Sequence, residues 1–435
     1  MNVFLHSSQV HLQSTVTITG SKSETNRLLL LQALYPNIRL ENTSNSDDSD
    51  VMQQALQNFQ QPTTDNRQLT TDNLIDVHHA GTAMRFLTAF FAIQENREVI
   101  LTGSSRMKER PIKVLVDALR QLGAEISYEE NEGFPPLKIK GKKLAEHKVS
   151  LPANVSSQYV SALLLIAPKL ENGLELTLEG KITSIPYINM TLALLNEIGI
   201  TTSFSGNQIV VNLQPTTNNL QPIYIESDWS SASYFYSIVA LSKIDTQITL
   251  STFKENSLQG DAALVEIYKN FGVETVFNTN HTITLSKSHN VQPTTDNRQP
   301  TTYNLNNSPD IAQTIAVTCF GLGIGCHLNG LHTLKIKETD RLAALQNELT
   351  KLGANVTITD DSLTLEATSK INKNATIKTY QDHRMAMAFA PLALKTSLII
   401  EDAEVVSKSF PSFWEDLQSI GFSLTRSNDT PNSIG

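Results

Sequence analysis

The sequence predicts an α/β protein built from six copies of one supersecondary unit, shared between two domains. Three observations predict it. Six segments open on small, polar or charged residues and run into an apolar helical stretch, their starts roughly 60–80 residues apart. A second helix follows each of the six. Five of those second helices end in a glycine, and a short alternating strand comes next. Recurrence of helix and strand at a steady period marks internal copies of one unit, and their alternation marks the α/β class.

The first helices begin in GSKSETNRLLLLQAL from Gly20, HAGTAMRFLTAFFA from His79 and NVSSQYVSALLLIAP from Asn154. They continue in SDWSSASYFYSIVAL from Ser227, SPDIAQTIAVTCFGL from Ser308 and YQDHRMAMAFAPLAL from Tyr380. Cap-type or charged residues lead each one, as a helix N-terminus requires. The second helices are SDVMQQALQNF, RPIKVLVDALRQLGAEI, IPYINMTLALLNEIGI, GDAALVEIYKNFGVETV, ETDRLAALQNELTKLGANVTI and FPSFWEDLQSIGFSL. Gly123, Gly199, Gly272, Gly353 and Gly421 stand where a left-handed residue stops a helix. EISY, TTSF, ETVF, NVTITD and FSLT then read as strands. The unit is helix, strand, helix, strand, strand.

One tract does not fit the unit. QPTTDNRQ stands at 61–68 and again at 292–299, and a relative, QPTTNNLQP, at 214–222. The longer windows QPTTDNRQLTT and QPTTDNRQPTT differ only at Leu69 and Pro300. Each copy falls between elements and carries almost no apolar residue, so it reads as a surface-loop insertion. Arg67 and Arg298 read as solvated side chains on those loops.

Composition narrows the function. The chain has 435 residues, 40% hydrophobic, with a formal net charge of −9. An acidic balance disfavours nucleic acid as a partner. No run reaches about 18 apolar residues, and MNVFLHSSQVHLQ has no basic leader, so neither a membrane span nor a signal segment is expected. Cys319 and Cys326 share one apolar stretch and read as buried thiols in a reducing, cytoplasmic setting. An anion-binding site on such a chain requires positive charge gathered locally.

The helix starts gather it. Lys22, Ser23 and Arg27 lie within two turns of the first start, where unpaired N–H groups and the helix dipole favour an anion. Gly81, Thr82 and Arg85 open the second, and Arg106, Lys108 and Arg110 precede a helix near Pro111. Ser156, Ser157 and Gln158 offer hydrogen bonds to phosphate or hydroxyl groups. Lys335, Lys337, Glu338, Asp340 and Arg341 fall within seven residues; Asp382, His383, Arg384 and Lys408 follow. One charged helix start is ordinarily a solvated cap, and one His a structural residue. Recurrence at the same place in four of six units changes that reading. Carboxylates beside cations, such as Asp310 and Glu338, stay ionised and suit proton transfer on an anionic substrate. Other chemistries lack their signatures. GSKS is not a P-loop, because Ser21 separates Gly20 from Lys22, and GLGIG is not a dinucleotide fingerprint. No metal-ligand spacing and no nucleophile elbow occur.

Together GSKSETNRLLL, AGTAMRFL, RMKERPI, SSQYVSALLL, DWSSASYF, KETDRL, DHRMAMAFA and KSFP resemble the 5-enolpyruvylshikimate-3-phosphate synthases, in order from about residue 18 to 415. The resemblance implies two inverse α/β-barrel domains, each of three βαβαββ copies related by pseudo-threefold symmetry. One would span 20–226 and the other 1–19 with 227–435, the active site lying in the interdomain cleft. It implies enolpyruvyl transfer from phosphoenolpyruvate to the 5-hydroxyl of shikimate 3-phosphate, with no metal or organic cofactor, in a cytoplasmic monomer inhibited by glyphosate. By motif, Asp310 is the implied base, Glu338 the proton donor to carbon, and Lys22 an assistant to both. Lys22, Ser23, Arg27, Ser156, Ser157, Gln158, Ser184, Tyr187, Asp310 and Lys337 are implied for shikimate 3-phosphate. Lys22, Gly81, Arg110, Gln158, Arg341, Arg384 and Lys408 are implied for phosphoenolpyruvate.

Three positions depart from the family pattern. His79 stands where an Asn is usual, Phe86 where many members have Pro, and Thr333 where an Asn is common. The first copy also shows no clear strand pair between Phe59 and Leu74. Two other readings stand beside this one. The sister transferase acting on UDP-N-acetylglucosamine needs a loop Cys, which RMKERPI lacks. A binding-only relative would be expected to have lost acids or clamp cations, and all of them are present.

Overall fold

The computed structural model describes residues 1–60, 73–153, 156–212, 221–290 and 300–427. The copies of QPTTDNRQ at 61–68 and 292–299 lie outside the described residues. Of the copy at 214–222, Gln221 and Pro222 are described, and both are exposed. The longer tract ends earlier than a loop reading places it, because Thr301–Asn304 is a strand paired in parallel with Cys326–Asn329.

The chain divides into two units, Gly20–Ile225 and Met1–Thr19 with Glu226–Gly435. In the first, α1 is Lys22–Leu34, α2 Asp47–Gln60, α3 Gly81–Ala92, α4 Lys113–Gln121, α5 Ser157–Ile166 and α6 Ile185–Glu197. In the second, α7 is Trp229–Leu241, α8 Leu264–Lys269, α9 Ala312–Leu322, α10 Arg341–Lys351, α11 His383–Phe389 and α12 Phe413–Ser419.

One sheet pattern recurs. Leu74–Asp76 runs parallel to Glu98–Thr102; Leu137–Lys140 pairs antiparallel with the latter, and Glu125–Tyr128 forms the edge. The order is first, second, fourth and third strand of one βαβαββ copy. Lys148–Pro152, Leu174–Glu179, Gln208–Val211 and Thr202–Ser205 repeat it. In the second unit Gln13–Thr17, Gln247–Ser251, Thr282–Lys287 and Val273–Phe277 do so again. Thr301–Asn304, Cys326–Asn329, Ser362–Leu365 and Val356–Ile358 form the next. In the last copy Ala375–Ile377, Leu398–Ile400 and Leu424–Arg426 take the first, second and third places, and the N-terminal strand Val3–Leu5 takes the fourth. Among the described residues the remaining copy shows Ile223–Tyr224 parallel to Leu40–Glu41. The place for its last two strands, before Leu74, includes 61–72, outside the described residues.

Burial explains which helix goes where. In α3 every residue but Thr82 is buried, and in α7 every residue but Ser230. A helix apolar on all sides belongs inside, and α5, α9 and α11 are of the same kind. Helix α4 buries one face only, through Leu115, Val116, Ala118 and Leu119. Strands alternate, as Glu98–Thr102 does by burying Val99 and Leu101. Apolar helices therefore fill the inside of each unit while sheets cover it, the inverse α/β-barrel expected from the sequence. All five predicted stop glycines are left-handed, from φ 74° at Gly272 to 112° at Gly421. Cys319 and Cys326 are free and buried.

Candidate active site

In the first unit the helix starts are tied to one another by side chains. Lys22, the first residue of α1, donates from Nζ to Asp48 Oδ2 at 3.1 Å; Asp48 lies in the first turn of α2. His79 Nε2 is 3.9 Å from Asp48 Oδ1. Ser156 caps α5, its Oγ accepting from the Gln158 amide at 3.3 Å, and Gln158 Nε2 donates to Thr82 Oγ1 at 3.0 Å. Arg110 lies against the start of α3, since a Cβ on Gly81 would sit 2.6 Å from its Nη1. A side chain at 81 would push the guanidinium aside. Arg85 donates to the carbonyls of Gly81 and Pro111, and the Tyr159 hydroxyl donates to the same Pro111 carbonyl at 2.6 Å. The starts of α3 and α5 and the loop at 110–111 thus form one hydrogen-bonded group.

Arg27 is placed differently from Lys22 and Ser23. It is buried, and its guanidinium donates to Thr191 Oγ1, Ser161 Oγ and the carbonyls of Ser23 and Tyr187. These partners are neutral, and burial lowers its pKa to about 10. Phe86 lies beneath it, 5.4 Å from Cζ to ring centroid, which explains an aromatic residue at that position. Arg27 ties together the backbone that presents Ser23 and Tyr187. Ser184 precedes α6 in the left-handed region, φ 54°, and is buried; Tyr187 follows in the first turn.

The second unit holds the charge cluster. Arg341, first residue of α10, is 1% exposed and reaches three carboxylates: Asp382 Oδ2 at 2.6 Å, Asp310 Oδ1 at 2.8 Å and Glu338 Oε2 at 2.8 Å. Arg384, in the first turn of α11, reaches Asp310 Oδ2 at 3.2 Å and the Asp310 carbonyl at 3.2 Å. Lys337 Nζ stands 3.6 Å from Asp310 Oδ1. Burial alone would push the Asp310 carboxyl up; Arg384, Lys337 and Arg341 outweigh it and hold it well below the usual carboxylate range. Asp310 draws the Lys337 pKa upward, but burial and Arg341 prevail and leave it lowered. Lys408 donates to the Gln381 carbonyl at 2.8 Å. Behind Arg384, Ser230 accepts from Nη2 at 3.2 Å and donates to buried Asp261. Burial, with the nearby Asp310 charge, pushes the Asp261 pKa up to about 7.

Each cluster brings implied site residues together. Lys22, Gly81, Arg110 and Gln158 lie at the bound helix starts of the first unit, and Asp310, Lys337, Glu338, Arg341 and Arg384 share one network in the second. Thr333 lies in a short 3-10 turn, His332–Ile336, which leads to Lys337. Sequence reasoning missed Asp48, Ser230 and Asp261. Asp48 sits in SDDSD, where nothing singles out one acid, and no spacing links it to Lys22. Asp382 was visible in DHRM, but its grip on Arg341 was not.

Comparison with known proteins gives the family and the fold. The sequence profile described as EPSP synthase (3-phosphoshikimate 1-carboxyvinyltransferase) matches residues 7–417. The 3-phosphoshikimate 1-carboxyvinyltransferase of Bacteroides fragilis strain YCH46 is 42% identical, covering 97% of this chain and 98% of that protein. The protein of the same name from Haemophilus influenzae strain KW20 is 35% identical, covering 94% and 96%. Among solved structures, an EPSP synthase from Acinetobacter baumannii shares the fold with TM-score 0.76 at 21% identity, covering 98% of this chain and all of that one. The enolpyruvyl transferase NikO from Streptomyces tendae shares it with TM-score 0.69 at 13% identity, covering 98% of each. With a match running nearly end to end and a relative at 42% identity, the chain belongs to the EPSP synthase family.

Proposed function

We propose that this chain transfers the enolpyruvyl group of phosphoenolpyruvate to the 5-hydroxyl of shikimate 3-phosphate, with the residues of both helix-start clusters in the roles that follow. The observation carrying the assignment of roles is the Asp310 network. One carboxylate stands between Arg341 and Arg384, and a second, Glu338, sits on the same Arg341 guanidinium. Cations that already hold carboxylates are suited to the carboxylate and phosphate of phosphoenolpyruvate, through forked hydrogen bonds. Lys22, Gly81, Arg110, Gln158 and Lys408 complete that set. Ser23, Ser156, Ser157, Gln158, Ser184, Tyr187 and Lys337 take shikimate 3-phosphate, with Arg27 behind them as their support.

In the addition step Glu338, protonated once the substrate anion takes over its share of Arg341, gives that proton to the methylene carbon, and the 5-hydroxyl oxygen bonds to the neighbouring carbon. Asp310 takes the hydroxyl proton, and Lys22 stabilises charge on the phosphate. Elimination returns a proton from the new methyl group to Glu338 and restores the double bond, and the phosphate leaves with the proton that Asp310 took from the hydroxyl. Asp310 so surrounded by cations is a weak base. An anion shared by Arg341 and Arg384 cancels part of their charge, so the carboxylate regains basicity when substrate arrives. The same reading makes the chain a glyphosate-inhibited, cytoplasmic monomer. Two buried free cysteines fit a reducing compartment, and no helix among the described residues is long and apolar enough to cross a membrane.

The test is phosphate release by purified protein given the two substrates together and separately, with glyphosate as competitor. Release that needs both supports the reading, and the glyphosate response shows whether His79 and Phe86 reshape the pocket. A folded protein that binds shikimate 3-phosphate without releasing phosphate would defeat it.

A further inference from the structure

Tyr380 and Gln381 have φ of 55° and 58°, the sole adjacent pair of non-glycine residues with positive φ among those described. Left-handed backbone is unfavourable for residues with a Cβ, and persists where surrounding contacts impose it. Those contacts are specific. The Tyr380 hydroxyl donates to Glu348 Oε1 at 2.7 Å, and the Lys378 amide donates to Glu348 Oε2 at 3.2 Å. Glu348 is fully buried in α10, with Lys351 Nζ 2.8 and 2.7 Å from its two oxygens. The Gln381 carbonyl, aimed by the same turn, accepts from Lys408. Asp382 follows directly, accepts from the Arg384 amide at 2.9 Å, and holds Arg341. Helix α10 therefore carries Arg341 at its start and the anchor of the turn seven residues later.

We propose that Tyr380 and Glu348 are positioning residues for phosphoenolpyruvate: they lock the left-handed turn that sets Arg384 and Lys408 against Arg341. The inference rests on the assignment of those three cations to the phosphoenolpyruvate clamp. Without the Tyr380 bond the turn relaxes toward negative φ. The Gln381 carbonyl then leaves Lys408, and Asp382 no longer aims Arg384.

The test uses the full chain with Tyr380→Phe, Gln381→Gly, the double variant and Glu348→Gln. Tyr380→Phe should raise KM for phosphoenolpyruvate about tenfold, a loss typical of a clamp displaced by a fraction of an ångström. KM for shikimate 3-phosphate should stay within about twofold of wild type, because the residues assigned to that substrate lie mostly in the other unit. Gln381→Gly removes the Cβ penalty, so alone it should leave KM unchanged and raise Tm, and in the double variant it should recover most of the lost affinity. Glu348→Gln keeps an acceptor for Tyr380 and should shift the same KM in the same direction by less. An unchanged phosphoenolpyruvate KM in Tyr380→Phe overturns the proposal. So does an equal rise in both KM values, or a double variant no better than the single. Phosphoenolpyruvate affinity, measured from thermal stabilisation in its presence, provides a readout apart from turnover. Wild type that binds but releases no phosphate defeats the functional reading alone. Equal affinity in wild type and Tyr380→Phe, or none in either, overturns the positioning role.

Discussion

Asp310 accepts from Arg341 on one oxygen and from Arg384 on the other, so its charge is held by residues from two helices at once. Asp310→Asn keeps the shape but cannot take a proton. Its kcat for phosphate release should fall about 10²–10⁴-fold, the usual worth of a general base; wild-type turnover would remove Asp310 from that role. Asp261 is the opposite case, a buried carboxyl whose only described hydrogen bond comes from Ser230. Its folded pKa of about 7 lies above the ordinary value. Between roughly pH 4 and 7 the folded state keeps a proton that the unfolded state has lost. Its contribution to stability is thus full in acid and lost as pH rises through 7. Asp261→Asn cannot ionise, so its Tm relative to wild type should climb from pH 4 to 7 and then level off. A difference independent of pH would show that Asp261 does not titrate in that range. Lys22 and Glu338 were legible in the sequence because they lie in GSKSETNRLLL and KETDRL, and Asp310 because it lies at the start of a helix stretch, SPDIAQT. Asp261 was not, because what distinguishes it is burial behind Arg384, a property of packing.

Elements were the most legible level, for a physical reason. A helix apolar on all sides can only be inside, and a glycine after an apolar face can only end the helix there, so both signals survive folding unchanged. The strand signals were weaker. Leu40–Glu41 and Ile223–Tyr224 are two residues long and come from distant parts of the chain, which leaves no local alternation to read. Helix α1 was legible as a helix but not as a support. Its Arg27 crosses to Ser161 on α5 and Thr191 on α6, joining three helices through one guanidinium. Arg27→Met fills similar volume and removes the charged donor, leaving the Ser161 and Thr191 hydroxyls only each other and the Tyr187 carbonyl. It should destabilise the unit by about 1–3 kcal/mol, the worth of buried hydrogen bonds to a charged donor, and raise KM for shikimate 3-phosphate through Ser23 and Tyr187. Denaturant midpoint and KM would both have to remain at wild-type values for Arg27 to be a surface-type residue.

At the scale of the whole molecule the chain crosses between its units twice, at residues 19–20 and 225–226. The clearest consequence is at the N-terminus. Val3–Leu5 is the fourth strand of the last copy, and pairs with Leu398–Ile400 on one side and Leu424–Arg426 on the other. The strand was invisible in sequence as part of that copy, because its partners, Leu398–Ile400 and Leu424–Arg426, lie at the far end of the sequence. Val3 and Leu5 are 0% and 1% exposed. Burying two such side chains contributes about 3–6 kcal/mol, a large part of the roughly 5–15 kcal/mol that holds a domain folded. Removing residues 1–5 also leaves two strands with no shared partner, and exposes both their inner edges. The two tryptophans, Trp229 and Trp414, both lie in that unit. Truncation should therefore move the tryptophan fluorescence transition to clearly lower urea. The circular dichroism transition should become biphasic, because the helices of Gly20–Ile225 do not contain the lost strand. Coincident transitions, both unshifted, would mean that the N-terminal strand adds nothing to the last sheet. Coincident transitions shifted together would mean that the two units unfold as one.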